Sequence, residues 1–151
     1  MTAPPLDPTG ADRRLRVVYV SGPDERWARR IAREVVERRL AACASSWPIR
    51  STYRWKGSIE EGEERAMLLK TSPKKLGALF SYLARSHPYE VPDLFELQVP
   101  RVHEPFARWL LEEIDPESAE PPARGRPKRP AAPRARAARF RRRTRERRLR
   151  P

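Results

Sequence analysis

The chain has 151 residues with 33 Lys+Arg against 20 Asp+Glu, a formal net charge of +13, 35% charged residues and 17 prolines, a combination unusual for one compact domain. Its one cysteine, Cys43, excludes an internal disulfide and any zinc site built from several thiolates. No segment approaches the roughly 20 apolar residues of a membrane-spanning helix, and the opening MTAPPLDPTGADRR has no apolar core of signal-peptide length, so a cytoplasmic chain with no membrane partner is expected.

Residues 1–12 are rich in proline and poor in apolar groups and read as a disordered leader. Leu15 to Val20, LRVVYV, is an apolar β-branched run suited to a buried strand. SGPDE then breaks the strand and opens a helix: Ser21 is placed to cap it, Pro23 has the φ of an early helical position, and Asp24 and Glu25 complement the helix dipole. Ala28, Ile31, Ala32, Val35, Val36 and Leu40 follow helical spacing, which predicts a helix from Pro23 to Leu40. The period then changes. In IRSTYRWK, Ile49, Ser51, Tyr53 and Trp55 alternate with Arg50, Thr52, Arg54 and Lys56, the pleat of a half-covered strand.

GSIEEGEE reads as an acidic turn with a glycine at each end, and RAMLLK as the returning strand of a hairpin. Ser72-Pro73 opens a second helix with Leu76, Leu79, Phe80 and Leu83 on one face. HPYEVP closes it, Leu94 to Val99 forms a fourth strand, and EPFARWLLEEI a last helix with Phe106, Trp109, Leu110 and Ile114 inward. The order β-α-β-β-α-β with an extra C-terminal helix is the α+β, ferredoxin-like split βαβ arrangement. Two helices would cover one face of the antiparallel sheet. Tyr53, Trp55 and Met67 are then expected on the other face, which needs a partner, so the pattern predicts an oligomer.

VVYV-SGPDE, RLAAC, YRWKG, LLKT and HPYEVPD, in that order and spacing across about residues 15 to 114, resemble the CutA divalent-cation tolerance family. The resemblance implies a ferredoxin-like fold, a compact homotrimer of PII-like architecture with interlocking hairpins, and a response to divalent metal ions without catalysis. Some relatives have a cysteine near the position of Val20 and a second histidine at that of Ser86, both metal ligands that this chain lacks. That implies a weak copper or zinc site and no required cofactor.

The stretch 85–100, RSHPYEVPDLFELQVP, concentrates polar groups in one turn between Pro88 and Pro92. His87 with Glu90 is the candidate metal site, an imidazole nitrogen joined by a hard oxygen. The same residues also read as a stiff corner, since a residue before proline is pushed away from helical φ and ψ. Cys43, beside Ala41, Ala42 and Ala44, reads as a small buried hydrophobe. His103 is assigned no role. Aromatic and basic side chains alternate along strand two, so they lie on opposite faces and cannot form one stacking platform for bases.

No glycine-rich phosphate loop, nucleophile elbow or HExxH pair occurs, and an enzyme is not expected. After Asp115 the chain carries 14 Lys+Arg against three Glu, about +11, leaving roughly +2 for residues 1–115. Residues 116–151 therefore read as a disordered basic tail able to bind nucleic acid or other polyanions non-specifically, beside a folded domain over 13–115. Two rival functions follow: a trimeric scaffold that presents those tails, and, by fold analogy with PII proteins, a small-molecule sensor.

Overall fold

The computed structural model describes residues 14–116. The expected leader and all of the expected tail beyond Pro116 lie outside the described residues. The elements run β1 (Arg16–Gly22), α1 (Glu25–Glu37), β2 (Cys43–Trp55), β3 (Ser58–Thr71), α2 (Pro73–Ser86), β4 (Leu94–Leu97) and α3 (Glu104–Ile114). The sheet is antiparallel with strand order β2-β3-β1-β4, the ferredoxin-like order expected from the sequence.

Several boundaries differ from expectation: β1 runs on to Gly22 rather than ending at Val20, β4 ends at Leu97 rather than Val99, and three others have a local reason. Helix α1 starts later because Asp24, not Ser21, is its cap: the Asp24 carboxylate accepts the Trp27 N–H at 2.7 Å. Ser21 is unavailable for that role, being paired with Ala66 in the sheet. The helix also stops at Glu37 rather than Leu40. Arg39 has φ +54, and the N–H groups of Arg39 and Leu40 return to the carbonyls of Val36 and Val35, which is a Schellman ending made without glycine.

The largest correction concerns the hairpin. GSIEEGEE is strand, not turn: β3 begins at Ser58, and Glu60, Glu61, Glu63 and Glu64 pair with Tyr53, Thr52, Arg50 and Ile49. The turn itself is only Lys56-Gly57, with φ +46 and +88, the two positive values that a tight right-twisted hairpin demands. Gly57 supplies the second without strain.

Strand periodicity of two sorts the sheet into two faces. On one, Val18 and Val20 of β1 and Met67 and Leu69 of β3 pack with Trp27, Ala28, Ile31 and Val35 of α1 and Leu79 and Leu83 of α2. Met67 is fully buried there, which corrects its expected place on the uncovered face. On the other face α3 covers one end, where Leu110 and Ile114 close over Leu15 and Val17 with Phe106 and Trp109 at the edge. The rest of that face stays open, and it carries Trp47, Tyr53, Trp55, Phe95 and Leu97, all exposed.

Candidate functional site

The corner at residues 87–93 is anchored to the end of β1. The Ser21 N–H donates to the Asp93 carbonyl at 3.2 Å, and the Ser21 carbonyl lies 2.7 Å from His87 Nε2. His87 Nδ1 accepts the Tyr89 N–H at 3.1 Å. An acceptor nitrogen carries no proton, so the ring hydrogen sits on Nε2 and is donated to Ser21. Edge contacts hold the imidazole from two sides, Trp27 and Tyr89 each with ring centroids 5.0 Å away. The Trp27 ring needs Gly22 beneath it, because a Cβ at that position would come within 2.3 Å of ring carbons.

The two candidate metal ligands thus share the corner but face different partners. His87 is turned inward with both nitrogens engaged. Glu90 is largely exposed, with its carboxylate 3.9 Å from Lys56 Nζ at the hairpin tip. Among the described residues no group of three or more His, Cys, Asp or Glu side chains gathers in a way that could hold a metal ion. Cys43 is half-buried at the first position of β2, rather than fully buried, and His103 is exposed at the start of α3.

Between the corner and the distal half of β2 lies a cleft of about 930 Å³, lined by Tyr19, Tyr53, Trp55 and Tyr89 together with the carboxylates of Glu64 and Asp93. Burial raises the Tyr89 hydroxyl well above the ordinary phenol range, and a hydrogen bond to the Glu64 carboxylate and its charge raise it further. Tyr19 is shifted the same way, first by burial and then by Asp93 and Glu64. Both phenols therefore stay neutral donors in a site of negative potential.

Tyr19 and Glu64 escaped the sequence reading, the first as a core strand residue and the second as part of a supposed turn. Gly57 directly after a single polar residue was the signal that would have put the turn two residues long and Glu64 on a strand.

A match to the family described as CutA1 divalent ion tolerance protein extends over residues 16–113. The chain belongs to that family. It is 40% identical over 98 residues to the divalent-cation tolerance protein CutA of Thermotoga maritima, covering 65% of this chain and 97% of that one. A Xenopus laevis CutA homolog is 40% identical over 97 residues, and the Mus musculus protein CutA 41% over 97 residues. The chain spans only 64% and 55% of those two vertebrate relatives. Among solved structures, CutA from Synechococcus elongatus superimposes with a TM-score of 0.66 at 34% identity, covering 69% of this chain and 93% of that one. The periplasmic divalent cation tolerance protein CutA from Archaeoglobus fulgidus gives 0.65 at 31% identity, covering 67% and 99%. No helix among the described residues is long and apolar enough to cross a membrane.

Proposed function

We propose that the chain is a non-enzymatic homotrimer of the cytoplasm that binds and responds to divalent metal ions, copper or zinc, through a weak site at the 87–93 corner. The family match over residues 16–113 is the observation that carries the cation reading. The trimer is supported by the open sheet face, which leaves Trp47, Tyr53, Trp55, Phe95 and Leu97 exposed on one side of the sheet. About 100 folded residues also bury a small share of their surface, so association adds stability.

His87 and Glu90 are the proposed metal ligands. For His87 to bind a metal, one ring nitrogen must give up Ser21 or Tyr89, and that lost hydrogen bond subtracts from the affinity. A weak site completed by a neighbouring copy is the form that fits. Calorimetric titration with copper, zinc and cobalt on the full chain, His87→Ala and Glu90→Gln tests the site, with native mass measured on the same samples. Weakened heats in both variants are expected; equal heats in all three proteins remove the corner from metal binding. A second reading rests on the charge of about +11 after Asp115, by which three tails would bind a polyanion with raised avidity. Gel shifts across a salt series, with the full chain and a chain ending at Asp115, separate it from the first.

A further inference from the structure

We propose that the outer face of the two helices packed on the sheet, α1 and α2, is a docking surface for the phosphate backbone of a double-stranded nucleic acid. This goes beyond the divalent-cation reading and is independent of it. With the tail reading it shares the polyanion, but it assigns a contact to the folded domain. The helix layer lies across the sheet from Trp47, Tyr53, Trp55, Phe95 and Leu97, so an assembly that closes over those residues leaves it facing outward.

Charge in the folded domain is unevenly placed. Residues 24–39 and 72–86, the two helices and their flanks, hold nine Lys and Arg against four Asp and Glu, about +5. The rest of residues 14–115 holds nine against eleven, about −2. On α1 and its C-terminal turn the cations are Arg26, Arg29, Arg30, Arg33, Arg38 and Arg39, all exposed. On α2 they are Lys74, Lys75 and Arg85, with no carboxylate in that helix to offset them.

The carboxylates of α1 do not cancel this excess. Glu25, Glu34 and Glu37 pair with Arg29, Arg30 and Arg33 at 2.6, 3.5 and 2.7 Å, each one turn away on the same helix. Such exposed pairs are weak, so a phosphate oxygen exchanges readily with the glutamate. Arg38 lies over the Tyr82 ring, 5.1 Å from its centroid, and Arg39 donates to the Glu113 carbonyl, contacts with uncharged groups that cancel neither charge.

The shape and chemistry of the layer select a duplex. Helix α1, with 13 residues, is about 20 Å long, and a duplex presents one phosphate charge for about each 1.7 Å of its axis, so the layer meets several phosphates at once. Guanidinium forks match phosphate oxygens bidentately. A bilayer or an acidic protein fits less well, because both need apolar anchors, and among the described residues Val36 is the one large apolar side chain exposed on this layer. The exit of the chain adds to the match. Lys74 Nζ bonds the Asp115 carboxylate at 2.6 Å, so the chain leaves the folded domain beside the start of α2, and 14 Lys and Arg against three Glu follow. A duplex held by that stretch is already concentrated at the layer.

The test is fluorescence anisotropy of a labelled duplex of about 20 base pairs with the full chain, in EDTA, across a salt series from about 50 to 200 mM. Two variants remove charge from the layer, Arg26→Gln with Arg33→Gln on α1 and Lys75→Gln with Arg85→Gln on α2. A third, Arg101→Gln with Arg108→Gln, removes the same charge outside it. Each layer variant should weaken binding about fivefold or more and lower the salt slope by about 1 to 2, with the third close to the parent. Circular dichroism and native mass establish that fold and assembly are kept. Layer variants that bind like the parent would leave the whole contact to the tail and overturn this inference while the tail reading stands; a full chain that binds no duplex sinks both. Equal weakening in all three variants also overturns it, since net charge and not this surface then sets the affinity. Phosphatidylserine vesicles are the competing ligand: layer variants that lose vesicle binding and keep duplex binding assign the surface to a membrane instead.

Discussion

The two faces of the sheet are built from the same strands and the same alternation, yet they have opposite fates. Behind α1 and α2, Val18, Val20, Met67 and Leu69 are wholly enclosed with Ile31, Val35, Leu79 and Leu83. On the other side, α3 encloses Val17 at one end, and Tyr19 and Phe95 stack on each other at 4.8 Å beyond its reach. The lesson is that strand alternation alone does not separate a core from an interface. Aliphatic chains fill the enclosed side at about 25 cal/mol for each Å² removed from water, whereas the open side carries aromatics, whose flat faces serve equally for a partner surface or a ligand.

The sharpest way to break this contrast is to damage each face and compare. Ile31→Ala or Leu83→Ala, both in the enclosed core, should cost about 2–5 kcal/mol in denaturant unfolding; a cost below about 1 kcal/mol would mean the core is not packed as described. Gly22→Ala should also be strongly destabilising, since the added methyl collides with the Trp27 ring. Phe95→Ser on the open face should instead leave subunit stability within about 1 kcal/mol while lowering the oligomer fraction in sedimentation. A large loss of subunit stability with unchanged assembly would place Phe95 in the fold rather than the interface.

Smaller effects sharpen the comparison at the edges. Asp24→Ala removes the α1 cap and should cost about 1 kcal/mol, with Asp24→Ser recovering most of it. Tyr89 has its folded-state pKa raised, so the stabilisation of its neutral phenol is complete below the ordinary tyrosine value and is lost as pH rises through the raised one. Melting temperature should therefore fall as pH rises above about 10, less steeply in Tyr89→Phe. Glu25 and Glu34 run the other way. Hydrogen bonds from Arg29 and Tyr82, respectively, hold their carboxyls below the ordinary range, so what they contribute is present at neutral pH and lost on acidification.

Much of the fold was legible because periodicity is a local signal. The α2 stripe at Leu76, Leu79, Phe80 and Leu83 and the α3 stripe ending in Leu110 and Ile114 read directly as buried faces. The acidic hairpin was not legible in the same way: four glutamates and Gly62 look like solvent-exposed turn, and only pairing across to Ile49–Tyr53 makes them strand. Met67 belongs to the helix-bearing face because it pairs with Ser46, on the opposite side of β2 from Tyr53 and Trp55. The corner at His87 was legible as a concentration of polar groups between prolines, but not as a closed hydrogen-bond pair, because Ser21 lies 66 residues away in the chain.

By itself the sequence determined the helices, the strands apart from residues 58–64, their ferredoxin-like order and the family, because spacing, caps and turn residues act over a few neighbours and are written in order along the chain. Only the tertiary structure decided which face each strand residue occupies, that His87 is turned inward to Ser21 while Glu90 reaches Lys56, and that Glu64, Tyr89 and Trp55 line one cleft. Those are distances between residues far apart in the chain, and side-chain pattern alone does not encode a distance.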